Sequence, residues 1–489
     1  MLCVLGALAL AASLLGPHPV GYESLFVRDV SRPDIEATTL GRPVHISIWF
    51  PAAEGRGATM HLADYVELLG AYETGSPRDG VGRRRFVETA KERAHGESEI
   101  GRHLEKLLSL RTTARRGVRP ARGKFPVVVF PEYRAPATNS IMAEALASHG
   151  FAVLSIPMIG TFEFDYEGGV TGIETHIADL RFAIHEVARR YPAIDASRLG
   201  LIGVGIAANI AIAYQTRNPT VDAIVSLEGG LPSPFENSLM QRTPYYDTAI
   251  LRAPMLIIQA PFEGRDDALL HQYRFADRWL IEFPTMKEYY FLNYGPLDEH
   301  APGVLGPPPG AVAKGFSWAT RHVLAFLDRT LRDGSSKVEE GPAGLFTIRF
   351  EKARPAIPTA QELKRIIQKD GVEGLKRVYE SLKSEESRPF ARQTLFDLAN
   401  FFGWQRDNDW AIRRELMSIA SEIYPESARA RFALANACRA RRETSCAIKA
   451  YEETLRVLPE DRDSSLDAAA RERLSRLAAE RRDALRTAQ

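Results

Sequence analysis

At 489 residues the chain is too long for one ordinary domain, so two or three are expected. An apolar fraction of 45% excludes wholesale disorder and is ample for a large packed core. A formal net charge of +1 gives no electrostatic reason to expect nucleic acid or an anionic membrane as partner.

Met1 to Gly16 is a run of small and apolar residues with Ala-Leu-Ala steps at Ala7–Ala9 and Ala9–Ala11. It is too short to span a bilayer. It matches the apolar region of a signal peptide but lacks the basic residues that usually precede one. The expectation is an exported protein, periplasmic or extracellular, with no transmembrane span.

Tyr22 to Asp29 and Val44 to Phe50 read as strands. The second sets Val44, Ile46, Ile48 and Phe50 on one face and His45, Ser47 and Trp49 on the other. Residues 60–115 are charged and helical in pattern, with Leu62, Tyr65, Val66 and Leu69 at helical spacing, and read as an insertion covering one edge or mouth of the sheet. The basic cluster Arg115, Arg116, Arg119, Arg122 and Lys124 reads as a solvated loop. Phe125 to Phe130 is wholly apolar, as a strand buried on both faces would be.

Beyond it Met142–His149 reads as a helix, Phe151–Ile156 as a strand and Thr175–Tyr191 as an amphipathic helix. Leu199–Ile202, Ala223–Leu227, Pro254–Ile258 and Tyr289–Asn293 are short apolar runs separated by helical stretches. This alternation predicts an α/β fold, a doubly wound and mainly parallel sheet over residues 17–336. Phe316–Leu331 closes it as a helix.

Residues 337–358 read as a linker that contains one connecting strand, Leu345–Phe350, and the Pro-bearing stretch Ala353–Pro358. Thr359 and Glu362 form a capping box opening an all-α region, 359–489. Pro425 and Pro459 stand 34 residues apart, each closing a helix, which is the tetratricopeptide period. Leu434, Ala435, Ala447 and Tyr451 occupy packing places of such a repeat. The preceding unit matches more loosely, with an insertion near Gln405–Asp409. Helical repeats build concave surfaces suited to a protein or peptide partner.

Beyond Cys3, the cysteines are Cys438 and Cys446, which either pair or stand as two small buried thiols. No metal-ligand spacing and no cofactor motif is present, so neither a metal nor a cofactor is expected.

The chemistry turns on Arg198-Leu-Gly-Leu-Ile-Gly-Val-Gly-Ile-Ala-Ala-Asn209. An apolar strand leads through a glycine-bearing turn into a helix, the setting of a G-x-S-x-G nucleophile elbow. Gly203 fits the first glycine, Gly205 stands where the serine belongs, and Ala207 replaces the last glycine. Glycine has no functional group, so covalent catalysis through position 205 is excluded.

With Gly41-Arg-Pro-Val-His-Ile-Ser-Ile-Trp-Phe-Pro51, Leu146-Ala-Ser-His-Gly-Phe-Ala-Val-Leu154 and Asp195-Ala-Ser-Arg-Leu-Gly-Leu-Ile-Gly203, residues Pro19–Gly334 resemble the α/β-hydrolase fold. The resemblance is to its dienelactone-hydrolase and platelet-activating-factor-acetylhydrolase-like branch, some bacterial members of which look similar in carrying a tetratricopeptide tail. It implies a serine, acid, histidine triad and a backbone oxyanion hole. Position by position, the serine falls on Gly205, the acid on Glu263 with Asp266 and Asp267 close behind, and the histidine on His300 with Asp298 near it. At the oxyanion side stand Pro131, which has no N–H, then Glu132, Tyr133 and Arg134.

The reading is an exported pseudoenzyme with relic acid and base, a cleft for a small acyl or lipid-like ligand, and helical repeats for a protein partner. The alternative is a carboxylic-ester hydrolase using a non-standard nucleophile such as Ser140 or Ser155.

Overall fold

The computed structural model describes residues 13–35, 40–53, 57–71, 80–93, 100–132, 136–164, 166–244, 246–301, 312–332, 334–336, 338, 340–384, 386–404, 409–461 and 466–487. Residues 1–12 of the leader, Tyr133 and Arg134, and residues 405–408 of the proposed repeat insertion lie outside them. The chain divides into two compact units, Met1–Ala353 and Arg354–Gln489.

In the first unit β1 (Val20–Asp29) and β2 (Arg42–Pro51) form an antiparallel pair. The insertion follows as β3 (Ala58–His61), α1 (Leu62–Val66), α2 (Val81–Arg93), α3 (Ile100–Leu108) and β4 (Arg111–Arg116). It is therefore not helical throughout. Its two strands pair with each other and β4 joins the sheet beside β1. Arg115 and Arg116 sit exposed on β4 rather than in a loop, and Arg116 pairs with Asp64 at 3.3 Å.

The rest alternates: β5 (Phe125–Glu132), α4 (Ser140–Ser148), β6 (Ala152–Pro157), α5 (Gly169–Arg190), β7 (Ile194–Val204), α6 (Ile206–Arg217), β8 (Val221–Leu227), α7 (Pro234–Gln241), β9 (Met255–Gln259) and β10 (Arg278–Glu282). A short helix α8 (Tyr294–Asp298), the long α9 (Val312–Leu331) and β11 (Thr347–Glu351) complete the unit. The sheet has 11 strands in the order β11-β10-β9-β8-β7-β5-β6-β2-β1-β4-β3. From β6 to β10 every pairing is parallel.

The apolar runs behave as strands buried on both faces should. On β5, Val128 and Phe130 join one core while Val127 and Val129 join the other. Trp49 and Ile48 divide in the same way on β2. Each such side chain contributes roughly 1.5–3 kcal/mol by leaving water. The second core is completed by α5 and α6 through Ile177, Leu180, Ile210 and Tyr214.

Three further expectations change. Tyr289–Asn293 is no strand: Glu288–Phe291 is a 3-10 turn, and the last parallel strand is Arg278–Glu282, paired with β9. A short apolar run is buried as well by packing on a sheet face as by joining it. Phe291 does the former, its ring 5.7 Å from that of Phe283. Thr347–Glu351, assigned to the linker, pairs antiparallel with β10 and belongs to the sheet. Ser13 to Gly16, assigned to the leader, also pack onto the unit. Leu14 is buried, its carbonyl meets the His149 ring at 3.1 Å, and the Gly16 N–H donates to Ser148 Oγ at 2.8 Å.

The second unit is all helix: α10 (Ala360–Leu382), α11 (Arg392–Trp404), α12 (Trp410–Ile423), α13 (Ala428–Ala440), α14 (Thr444–Val457) and α15 (Ala468–Thr487). The Thr359–Glu362 capping box is formed, with Glu362 accepting the Thr359 N–H at 2.8 Å. α12 and α14 end just before Pro425 and Pro459. Ala435, Ala447 and Tyr451 form a small core with Cys438, which is disulfide-bonded to Cys446.

Candidate functional site

β7 runs into α6 through Gly205, whose φ of 56° and ψ of −129° lie where only glycine is unstrained. Its N–H donates to the carbonyls of Leu227 (3.2 Å) and Glu228 (2.7 Å) at the end of β8, and its own carbonyl accepts the Ala208 N–H at 3.0 Å. A Cβ on Gly203 would stand 2.2 Å from Ala208 N, so helix and strand meet there with no room for a side chain. This is the strand–turn–helix geometry of a nucleophile elbow, with glycine at its turn.

Together with the sheet beneath it, the turn settles the architecture. The first unit has the α/β-hydrolase fold.

Above Gly205 opens a cavity of about 540 Å³, at the carboxyl ends of the parallel strands where such folds bind ligands. Val204, Ile206, Phe235, Leu239 and Leu292 make its apolar wall. Its polar groups are Glu132, Thr138, Asn139, Tyr166, Arg242 and Tyr294 among others. No serine, cysteine or histidine is among its described lining residues.

Glu132 ends β5 and is 2% exposed. Its carboxylate accepts from Thr138 Oγ1, from Asn139 Nδ2 (2.9 and 3.0 Å) and from Ser155 Oγ (3.1 Å). Those donors favour the ionised form, but burial outweighs them and pushes the carboxyl up to about 7. The loop that carries Thr138 is tied down by Asn293, which donates to Ala137 O at 2.7 Å and to Ser140 Oγ at 2.8 Å. Pro131 lines the same wall and offers no N–H to an oxyanion. Behind Tyr166 lies His176, stacked with centroids 5.7 Å apart and held by burial at about 4, hence neutral.

The structure does not bring Glu263 and His300 to this cavity. Glu263 is exposed in the turn after β9. Asp266 accepts the Ala268 N–H and Asp267 pairs with Arg265 at 2.6 Å, so both serve the local loop. His300 is half-buried beyond α8; its carbonyl accepts from Lys106 Nζ at 2.8 Å, and burial with that ammonium lowers its ring pKa. The carboxylate beside the turn is Glu228, buried, with φ of 43°, accepting the Ala260 N–H at 2.8 Å. Sequence reading passed over it, although Leu227-Glu-Gly-Gly230 directly after an apolar strand marks a sharp turn at the sheet top.

Neither alternative serine is placed for attack. Ser155 lies within β6, buried, with its hydroxyl on Glu132. Ser140 is also buried and is the first residue of α4, whose N-cap is Asn139. Neither lines the cavity.

No protein-family model and no curated protein matches the chain. Among solved structures, a ferulic acid esterase from Streptomyces cinnamoneus aligns over 68% of this chain and 96% of that one, at 20% identity and a TM-score of 0.47. No activity is inferred from a likeness that weak. Among the described residues no helix is long and apolar enough to cross a membrane.

Proposed function

We propose that the protein is a pseudo-hydrolase: its first unit binds a small acyl or lipid-like ligand without cleaving it, and its helical unit engages a protein partner. The carrying observation is Gly205, a residue with no reactive group held in the strained backbone geometry of a nucleophile turn. Apolar walls in a cavity of about 540 Å³ suit a small apolar body. The oxyanion side supports the same reading, since one missing donor typically costs on the order of a hundredfold to a thousandfold and Pro131 supplies none. Export is supported by the Cys438–Cys446 disulfide, a bond that persists in oxidising compartments.

One observation favours a second reading, ester hydrolysis. Thr138 presents to the cavity a hydroxyl bonded to a buried carboxylate. A serine-reactive fluorophosphonate probe, followed by peptide mapping, decides between them. The expected result is no label on the unmodified protein. A label on Thr138 or any serine, with ester turnover abolished by its substitution, would replace the pseudo-hydrolase reading.

A further inference from the structure

A second cavity, of about 520 Å³, lies beside the amino end of β6 and shares no lining residue with the one above Gly205. One of its walls is a face of α9. Counting from Trp318, the lining residues Arg321, His322, Ala325 and Asp328 stand three, four, seven and ten positions on, the spacing of one helix face. Phe316, Ala319, Val323 and Phe326 put the other side of the helix into the core. Ala325, small among larger neighbours, leaves the room.

A second wall is the strap of residues 13–18, which is built in rather than draped over the surface. The Gly16 and His18 N–H groups donate to Ser148 Oγ at 2.8 Å and to its carbonyl at 3.0 Å, and the Leu14 carbonyl meets the His149 ring at 3.1 Å. A Cβ on Gly16 would stand 2.5 Å from the Ser148 carbonyl oxygen, so the close approach needs glycine. The polar groups inside are unevenly matched. Arg332 has Asp328 at 3.3 Å. Arg321 lies 5.9 Å over the Trp318 ring and donates to the Ser13 carbonyl at 3.3 Å, and no acid pairs with it among the described residues. His322 is 1% exposed and held neutral by burial, its pKa lowered to about 4. Its Nε2 is buried and has no hydrogen-bond partner among the described residues. A polar atom left so costs roughly 1–3 kcal/mol, which a bound molecule can recover.

From this arrangement we infer that the cavity is a second ligand site and that it takes a planar aromatic carboxylate. The Arg321 guanidinium, packed on an indole and without an internal acid, is completed by a carboxylate in planar, charge-assisted hydrogen bonds. His322 in its Nε2–H tautomer adds a second donor. The rings of Trp318 and His149, with Leu14 and Leu324, give the body of the ligand flat and apolar surface, and the volume is that of a small-molecule site. The inference stands apart from the reading of the Gly205 cavity and does not depend on it.

The test is calorimetric titration of the full chain with three probes on one ring system: naphthoate, naphthylmethanol and naphthylmethylammonium. The expected result is that naphthoate binds and that the alcohol and the ammonium bind about tenfold more weakly or not at all. Arg321 is exposed, so Arg321→Gln leaves the helix intact and should weaken naphthoate about tenfold or more. Ala325→Phe fills the cavity and should abolish binding. Arg329→Gln removes the same charge from the same helix outside the lining and should change little. Naphthoate binding that survives both Arg321→Gln and Ala325→Phe would place the probe elsewhere, the Gly205 cavity included, and overturn the inference. Equal losses for Arg321→Gln and Arg329→Gln would reduce it to general charge attraction and overturn it as well. A preference for the alcohol or the ammonium would refute the carboxylate, and no binding of any probe would refute the site.

Discussion

Gly205→Ser is the substitution that asks the structure for its chemistry. At φ of 56° and ψ of −129° a side-chain-bearing residue is strained by roughly 1–3 kcal/mol. Replacing glycine also removes unfolded-chain entropy, which offsets about 0.5–1 kcal/mol. The net expectation is a loss of about 1–2 kcal/mol, which lowers the melting of the first unit, Met1–Ala353, by about 1–3 °C. Calorimetry of the full chain reads this, provided the two units melt as separate transitions. The variant is also expected to resist the fluorophosphonate probe. An introduced hydroxyl would face a cavity whose described lining holds no histidine, and Glu132, the lining carboxyl raised to about 7, already accepts from Thr138, Asn139 and Ser155. Two results refute the reasoning. Labelling of the introduced serine with ester turnover would show that Glu263 and His300, or other groups, still form a relay. A variant as stable as the parent would show that the turn relaxes and is no longer a strained elbow.

Other expectations follow from single contacts. Glu132, raised to about 7 against 4.5, holds its proton more tightly folded than unfolded, so its contribution is complete below pH 4.5 and is lost as pH rises to 7. Glu132→Gln should flatten the fall of stability across that window by on the order of 3 kcal/mol, read by denaturant melts at several pH values; an unchanged slope would contradict the raised carboxyl. Asp179→Ala strips Arg42 of its buried partner, bonded at 2.8 Å, and should destabilise the first unit by about 3–5 kcal/mol. If Arg42 were instead satisfied by the carbonyls of Ile159 and Gly160 alone, each also at 2.8 Å, the loss would be far smaller. The Cys438–Cys446 bond closes a short loop, and Cys446→Ser should cost about 2–3 kcal/mol in the helical unit; alkylation that adds mass without reductant would show free thiols. Because Leu14 is buried, a leader removed in an exporting host should be cut upstream of Ser13, as at Ala9-Leu-Ala11. An intact mass beginning beyond Gly16 would mean the unit folds without those contacts.

Much of the sheet was legible because its strands are wholly apolar and its helices amphipathic, and two-sided burial leaves little choice of face. The edges were less so. β10, Arg278-Trp-Leu-Ile-Glu282, begins and ends in charge and was passed over in favour of Tyr289–Asn293, a more apolar run that packs as a turn. The cavity was half legible: Gly205, Pro131 and Glu132 announce themselves by position after apolar strands. Thr138, Tyr166, Asn293 and Arg242 do not, because loops far apart in sequence converge there only once the sheet is built.

Why should such a turn persist without chemistry, as the pseudo-hydrolase proposal requires? The answer lies in which atoms the packing uses. Gly203 cannot grow, since a Cβ there would collide with Ala208 N and the carbonyl carbon of Ala207, and Ala207 itself is 1% exposed against the second core. The Gly205 N–H is engaged by two carbonyls from β8, so the backbone path from β7 into α6 is fixed by hydrogen bonds that involve no side chain. A side chain at 205 is the one part of this turn on which neither strand nor helix depends, and in this backbone geometry it is a strain. On the pseudo-hydrolase proposal, loss of catalysis and relief of that strain would be the same substitution. Selection for stability alone would favour glycine there once turnover ceased to matter, while holding every neighbouring residue small. On that proposal the fold stays readable for that reason.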